Sequence, residues 1–327
     1  VYRYGFRRAR GPQCENFTAR YTWDEFERFF GPDECGYAGL GVDTGVASLI
    51  FDVFVGPEDG IGKGTCFGLC LFGEKLWNGD PALYGSPLPG TTAWAYGQGT
   101  EASRQHLWQL DLGYLEDWIH FFLDHYDELG KATVEEIGTT LMGKGSGSIP
   151  EWPYLLAIAE GFGSAHTVVP YAYEELPDGW CRIRVYDPNR PFRVDEENDG
   201  GSYITINPNT GDWSFDVGGG TVFENAYMVP VRSEVCRGDP ELISDLIEAG
   251  GIVGELLDDG WDFLWYILAG AVAPEQVSDP DGRTLLVAEG KPNLNGLTRI
   301  PDAGMIPLNG GSSPAGLFFA PKGDELT

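Results

Sequence analysis

The clearest helical pattern in the chain is an apolar stripe within residues 101–129. Its large apolar side chains recur mainly at intervals of three, four and five residues, as on one face of a helix: Leu107, Leu110, Leu115, Trp118, Phe121 and Phe122. A shorter stripe over 22–30 begins with Thr and has Glu three residues later, which is the pattern of a capping box. The same reasoning predicts helices over 133–141 and 152–159.

Two further segments are apolar without a clear period. The run over 46–55 predicts a helix or a strand, because a short continuous apolar run is compatible with both. The run over 66–77 follows a glycine-rich stretch and predicts a buried helix capped by Thr65. Cys66 would then lie in the first turn, where the positive end of the helix dipole and the nearby Lys63 favour a thiolate.

A β-hairpin is predicted from two apolar runs, 166–173 and 181–189, joined by a Pro-Asp-Gly turn. A pairing centre near residues 177 to 178 puts His166 opposite roughly residues 187–191. Asp187 and Asn189 share a strand face by the period-2 rule, so either could hold the imidazole of His166. Register alone does not choose between them. Strands are also predicted over 202–206 and 213–217.

The order of these residues resembles that of papain-like cysteine peptidases, in particular a secreted bacterial branch of that superfamily. The likeness covers roughly residues 40 to 235 and rests on three segments, quoted from the sequence: Cys66-Phe-Gly-Leu, His166-Thr-Val-Val-Pro-Tyr-Ala and Val185-Tyr-Asp-Pro-Asn-Arg-Pro191. It implies an α+β papain-like fold, with a helical part packed on an antiparallel sheet. It also implies that Cys66 attacks amide bonds in peptides, with His166 as base and then acid and with Asp187, or Asn189 in its place, as orienter of the ring.

One feature departs from the pattern of that superfamily. Its members place a Gln a few residues before the cysteine to bind the oxyanion, whereas residues 52–65 contain neither Gln nor Asn. Gln98 or Gln105 could take that place, or backbone amides could serve alone. A second hypothesis is therefore that the chain is a catalytically inactive papain-like surface or assembly module.

A third hypothesis is a zinc site made of Cys66, Cys70, His166 and Asp187. Two thiols spaced i, i+4 with one His make an unusual zinc set, so no metal and no cofactor are predicted. Cys70, one turn beyond Cys66, is interpreted as a core thiol. The other three histidines, His106, His120 and His125, are interpreted as surface or satisfied core residues.

Changes in the residue pattern along the chain predict three parts. These are an N-terminal arm and first helix (1–35), the papain-like domain (36–235) and a C-terminal extension that is first helical and then β-rich (236–327). The extension is predicted to contain helical segments, over 239–249 and 252–271. Short strands follow over 284–288 and 316–320.

The charge of the chain limits its partners. A formal net charge of −29 argues against nucleic acid and against anionic membrane surfaces. No apolar stretch reaches the roughly 20 residues of a membrane span. A peptide or protein substrate remains as the expected partner, and the oligomeric state is left open.

The cysteines and the first residue of the chain indicate where the protein is located. If Cys14 pairs with Cys35, and Cys181 with Cys236, Cys66 and Cys70 are left as thiols, and such bridges would suit an oxidising environment. The chain begins at Val1 rather than Met, as a processed or trimmed protein would. An extracellular or cell-surface location is therefore predicted.

Overall fold

The structure is a computed structural model of the 327-residue chain. It describes the following residues: 2–3, 17–35, 45–55, 64–78, 98–125, 128–142, 154–161, 164–190, 202–218, 221–224, 227–242, 252–253, 263–268, 277–278, 281–287, 291–292, 303–307 and 316–321.

The described ranges contain six α-helices: α1 (Trp23–Phe30), α2 (Gly45–Ile50), α3 (Cys66–Asn78), α4 (Gln98–His106), α5 (Leu112–His125) and α6 (Leu129–Met142). A π-helical turn continues α2 through Phe51–Val55, and a 3₁₀ turn, Leu107–Leu110, joins α4 to α5. The helices predicted over 22–30, 66–77 and 133–141 are confirmed. The helical region predicted over 101–129 is confirmed in part, as α4, the 3₁₀ turn and α5 up to His125. At α1 the capping box is present, since Thr22 and Glu25 bond each other's backbone amides.

An antiparallel sheet forms the other half of the fold. Its strands are β1 (Tyr2–Arg3), β2 (Tyr154–Gly161), β3 (Ser164–Glu175), β4 (Cys181–Tyr186), β5 (Tyr203–Ile206), β6 (Trp213–Gly218), β7 (Thr221–Glu224) and β8 (Tyr227–Arg232). The order is β7-β6-β5-β4-β3-β2-β8, and β1 pairs with the end of β3. The fold class is therefore α+β, as predicted at that level.

The long strand β3 lies between β2 and β4 in this sheet. Its first half pairs with β2, and its second half pairs with β4. The register shifts by one residue between Pro170 and Ala172. A proline lacks the N–H that a regular ladder needs, so a bulge beside it is the expected accommodation, and it bends the strand. The predicted hairpin and its centre are confirmed, since Glu175 lies opposite Cys181.

Helices α3, α5 and α6 pack against this sheet. The stacked pair Trp118 and Phe122 of α5 contacts Tyr227 of β8, with ring centroids 6.3 and 5.1 Å from that of Tyr227. From α6, the hydroxyl of Thr133 donates to the carbonyl oxygen of Met228 at 2.6 Å. Among the described helices, none combines the length and the apolar composition of a membrane-spanning segment.

The prediction of a helix over 152–159 is wrong, because Tyr154–Gly161 forms strand β2. This strand lies between β3 and β8, and its residues 155–159 are all buried. A strand that is buried on both faces has apolar residues at every position, so apolar and polar residues do not alternate along it. Its continuous apolar run therefore looks the same as that of a short buried helix.

In the C-terminal part, the described elements are strands: β9 (Ile252–Val253), β10 (Phe263–Leu268), β11 (Val277–Ser278), β12 (Thr284–Val287), β13 (Lys291–Pro292), β14 (Gly304–Pro307) and β15 (Gly316–Pro321). They form two sheets, ordered β14-β15-β10-β9 and β11-β12-β13. The predicted strands over 284–288 and 316–320 are confirmed. The predicted helical segment over 252–271 is wrong, because β10 pairs along its whole length with β15.

The predicted helix over 239–249 is wrong at its start. Residues 239–242 are not helical, and Leu242 forms an antiparallel bridge with Asp111, which precedes α5. The rest of that prediction lies outside the described residues. The division into parts at residues 35 and 235 stays a prediction.

The proposed bridge between Cys181 and Cys236 is wrong, since both are buried free thiols. The sulfur of Cys181 lies 2.7 Å from the hydroxyl of Tyr173, its neighbour across the hairpin. Cys14 lies outside the described residues, so its pairing with Cys35 stays a prediction. The extracellular location loses this support and also stays a prediction.

Candidate functional site

Cys66 is the first residue of α3 and is completely buried. The N–H groups of a helix's first turn have no acceptor within the helix, and the dipole there favours negative charge. Hydrogen bonds of Thr65, the residue before the helix, fix the position of the helix start. The carbonyl of Thr65 accepts the N–H of Leu69, and its own N–H and hydroxyl donate to the carbonyl of Phe17 at 3.1 and 3.0 Å. Lys63 lies outside the described residues.

His166 lies on β3, opposite Ile158 of β2, and its side chain is 3% exposed. Its Nε2 lies 2.8 Å from Oδ1 of Asp187, which is also fully buried. The side chain of Cys66 also contacts the imidazole. The structure thus brings together Cys66, His166 and Asp187, three residues that the sequence predicted as one site.

Asp187 also begins the turn that follows β4. Its Oδ1 accepts the backbone N–H of Asn189 at 2.9 Å, and its carbonyl accepts that of Arg190 at 3.0 Å, as in an Asx-type turn. The side chain of Asn189 is exposed. Between the two candidates that the register left open, the ring of His166 is bonded to Asp187 and not to Asn189.

The positive charge of His166 and the negative charge of Asp187 stabilise each other. Burial by itself lowers the pKa of His166, but the polar contacts with Asp187 and Cys66 outweigh it and raise the pKa above its ordinary value. Burial likewise tends to raise the pKa of Asp187, but the hydrogen bond from His166 outweighs it and holds the pKa below its ordinary value. The arrangement therefore stabilises an imidazolium between a carboxylate and a sulfur.

Two further residues complete the surroundings of the pair, and the sequence reasoning did not find them. Ser202, just before β5, donates its hydroxyl to Oδ2 of Asp187 at 3.2 Å. The ring of Phe215 on β6 stacks against His166, with centroids 6.3 Å apart and planes 14° apart. Phe215 lies on the buried face of a predicted strand, but its contact with His166 depends on how the sheet curls. Long-range contacts of that kind leave no local sequence signal.

Cys70 follows Cys66 by one helical turn and is a core thiol, as interpreted from the sequence. Its sulfur donates to the carbonyl oxygen of Thr167, next to His166, at 3.2 Å. Burial raises its pKa well above the ordinary value, and the nearby Cys66, Asp187 and Glu74 add to this. Cys70 is therefore held as a neutral thiol.

Helix α4 lies close against α3, on Gly68. The N–H of Gly68 donates to Nδ1 of His106 at 3.3 Å, so the ring of His106 satisfies one free amide of the first turn. A Cβ at Gly68 would lie 2.0 Å from the carbonyl oxygen of Ala102, so only glycine fits. His106 is a satisfied core histidine, as interpreted from the sequence.

One of the two side-chain N–H groups of Gln105 is bonded, and its role as an oxyanion donor stays a prediction. Gln105 is buried, and its Nε2 donates to Oε1 of Glu101 at 2.6 Å. The side chain of Gln98 is outside the described residues. In the part of the chain that the structure describes, no three His, Cys, Asp or Glu side chains are grouped to hold a metal ion. In the zinc set, Cys70 is bonded to a backbone carbonyl and Asp187 to His166.

Comparison of the chain with protein-family models, with curated proteins and with solved structures finds no match.

Proposed function

We propose that this chain is a cysteine peptidase-like protein that cleaves amide bonds, with Cys66 as nucleophile, His166 as general base and acid, and Asp187 as orienter of the ring. The observation that carries the proposal is the 2.8 Å contact between Nε2 of His166 and Asp187, with Cys66 beside the same ring. A nucleophile, a base and a third group that orients the base are the geometric signature of this chemistry.

The proposed reaction has two steps. In the first, the sulfur of Cys66 attacks the carbonyl carbon of the amide, the C–N bond breaks, and the imidazolium of His166 protonates the leaving nitrogen. In the second, His166 takes a proton from water, the resulting hydroxide attacks the thioester carbon, and the C–S bond breaks. The products are an amine and a carboxylic acid, and the sulfur of Cys66 and the imidazolium of His166 are restored.

The oxyanion of each tetrahedral intermediate needs donors. The backbone N–H of Cys66 at the start of α3 is suited to this, since it belongs to the first turn of the helix. Because Gln105 is bonded to Glu101, we assign the oxyanion to backbone donors rather than to this side chain.

A papain-like fold is part of the proposal. It is supported by the position of the nucleophile at the start of a helix packed on an antiparallel sheet, with Thr167 of that sheet bonded to Cys70 of the helix. It is also supported by the placement of the histidine and its carboxylate on one hairpin.

The complete burial of Cys66 favours a second candidate, the inactive surface or assembly module. A substrate carbonyl must reach the sulfur, and a side chain with no exposed surface offers no such approach in this conformation.

Alkylation of the thiols by iodoacetamide near neutral pH tests the proposal. Cys66 should be labelled at least about tenfold faster than Cys70, because only Cys66 has the helix terminus and the imidazole. His166→Ala should slow the labelling of Cys66, whereas His120→Ala, at an exposed position, should not. Slow labelling of both thiols, unchanged by His166→Ala, would favour the inactive module.

A further inference from the structure

Ser202 lies beside the proposed catalytic pair, at the point where the chain enters β5. The residue is 3% exposed, and its hydroxyl lies 3.2 Å from Oδ2 of Asp187. The hydroxyl is the donor in this contact, because an ionised carboxylate only accepts hydrogen bonds. It is therefore directed at the oxygen of Asp187 that does not bond the imidazole.

The sheet itself holds Ser202 in this place. The N–H of Val185 on β4 donates to the carbonyl of Ser202 at 3.0 Å, which extends the antiparallel β4–β5 pairing beyond Arg184 and Tyr203. Asp187 comes two residues after Val185, so its side chain shares a face with that of Val185 by the period-2 rule. The backbone thus brings Ser202 to the carboxylate, and the hydroxyl is free to serve that carboxylate alone.

The two oxygens of Asp187 have different partners. Oδ1 accepts the contact from Nε2 of His166 at 2.8 Å and the backbone N–H of Asn189 at 2.9 Å. Among the described residues, Ser202 supplies the one hydrogen bond that Oδ2 accepts. Loss of the hydroxyl would therefore leave half of a buried carboxylate without a donor, which is unfavourable for its charged form.

Hydrogen bonds to a carboxylate favour its ionised form. Burial tends to raise the pKa of Asp187, but the contacts with His166, Asn189 and Ser202 outweigh it and hold the pKa below its ordinary value. Ser202 is the donor among these that does not take part in the proposed reaction and does not belong to the turn after β4. Its contribution can therefore be removed separately.

Other titratable groups near this carboxylate do not replace the serine. From α3, the thiol of Cys70 faces Asp187, and burial keeps that thiol neutral. Arg190 follows Asp187 in the turn, but its guanidinium pairs with Asp216 at the surface, at 2.9 Å. In the part of the chain that the structure describes, the carboxylate is thus held by one charged partner, on β3, and by neutral donors.

We propose that Ser202 is a positioning residue of this site: its hydroxyl holds Oδ2 of Asp187, so that Oδ1 stays directed at the ring of His166 and the carboxylate stays ionised in acidic solution. The inference rests on the proposed peptidase function, in which the ring must deliver a proton to the leaving nitrogen. A ring that loses its orienting carboxylate can turn, and the proton is then misplaced.

The pKa of Asp187 tests this role directly. Its carboxyl carbon resonance, assigned with Asp187→Asn, is followed by NMR from acidic to neutral pH. Ser202→Ala should raise the measured pKa of Asp187 by about one pH unit, because the ionised form loses a donor. Ser202→Thr keeps the hydroxyl and should keep the pKa near that of the unaltered protein. Ser233→Ala removes an equally buried serine elsewhere and should leave the pKa unchanged.

Labelling of Cys66 by iodoacetamide over a range of pH measures the positioning of the ring. As the solution is made more acidic, Ser202→Ala should lose its labelling about one pH unit earlier than the unaltered protein. At alkaline pH, where Asp187 is ionised in both proteins, the rates should be similar. A serine with only a structural role would instead change the rate by the same factor at every pH.

An Asp187 pKa that Ser202→Ala does not raise, or a labelling rate lowered equally at every pH, would overturn the inference. If the alanine variant does not fold, Ser202→Cys takes its place, since a thiol is a weak donor and the same rise is expected. If the pKa rises but labelling of Cys66 does not depend on His166, the positioning of Asp187 stands and the peptidase function fails. If labelling depends on His166 while the pKa is unchanged, the function stands and the role of Ser202 fails.

Discussion

The thiol of Cys70 donates a hydrogen bond to the carbonyl oxygen of Thr167 at 3.2 Å. This contact joins the helix that begins at Cys66 to the strand that carries His166. The hydrogen bond between Cys70 and Thr167 therefore helps to position Cys66 relative to His166, although neither of these two residues takes part in it.

Replacement of Cys70 by alanine should loosen this connection. We expect a loss of about 1–3 kcal/mol in the free energy of unfolding, from the lost hydrogen bond and the small cavity. Labelling of Cys66 by iodoacetamide should slow as well, because the helix start is no longer fixed relative to His166. Cys70→Ser keeps a donor, so its labelling rate should stay closer to that of the unaltered protein. Equal rates for both variants would contradict the positioning role.

Replacement of Asp187 by asparagine should change how stability depends on pH. The raised pKa of His166 contributes stability that is present below its unfolded pKa, about 6.5, and is lost as pH rises through the folded pKa. The lowered pKa of Asp187 contributes stability that is present above about 3.9 and is lost as pH falls through the folded pKa. The cost of Asp187→Asn, about 2 kcal/mol, should therefore be greatest between about pH 4 and 6.5.

Denaturant titrations of both proteins between acidic and alkaline pH measure this difference. Asp216→Asn is the matched control, since Asp216 pairs with Arg190 at the surface, at 2.9 Å, and is 65% exposed. Its cost should stay below about 0.5 kcal/mol at every pH. A cost of Asp187→Asn that does not vary with pH would mean that the pair carries no charge in the folded protein.

Glu74 should be destabilising at alkaline pH. It is fully buried on α3, and neither carboxylate oxygen has a hydrogen-bond partner in the described structure. Burial raises its pKa well above the ordinary value, so its contribution to stability falls as pH rises. Glu74→Leu should therefore stabilise the protein by about 1–3 kcal/mol at pH 8 and by less at pH 4.

Thermal unfolding at the two pH values checks the Glu74 prediction, with Glu128→Gln, at an exposed position, as control. The control should behave like the unaltered protein. A Glu74→Leu protein that is less stable than the unaltered one at pH 8 would show that the carboxylate has a role that burial does not explain.

Replacement of Gly68 by alanine should force α3 and α4 apart. The added Cβ would lie 2.0 Å from the carbonyl oxygen of Ala102 and 2.8 Å from Cβ of His106. We expect a loss of more than about 2 kcal/mol in the free energy of unfolding, as in overpacked cores. Gly113→Ala is a helical control, because its Cβ would come no closer than 3.3 Å to Asp111. Its effect should stay within about 1 kcal/mol.

The hairpin that carries His166 and Asp187 was predictable because its information is local. The turn sequence fixes the pairing centre, and the centre fixes which residues face each other. The bulge near Pro170 moves the register by only one residue, which the predicted interval of 187–191 already covered. The choice of Asp187 over Asn189 was not predictable, because both share the face and only the turn after β4 exposes Asn189.

The strands β2 and β10 were predicted as helices for a physical reason. Tyr154–Gly161 lies between β3 and β8, and Phe263–Leu268 pairs on one side with β15 and on the other with β9. Both segments are nearly continuous apolar runs, so they show neither the 3.6-residue period of an amphipathic helix nor the two-residue period of a half-buried strand. A continuous apolar run of this length is equally compatible with a buried strand and with a buried helix, so the local pattern does not separate the two.

The contact between Cys66 and His166 joins residues a hundred positions apart in the sequence, and this separation has a consequence for how the protein forms. Helix α3 can form from its own residues, but β3 must be made and docked before either thiol meets its partner, and closing so long a loop is slow. On the ribosome, a chain that ends before residue 166 therefore carries Cys66 and Cys70 as two ordinary thiols. The reactivity that we propose for Cys66 would therefore be acquired only when the hairpin is complete.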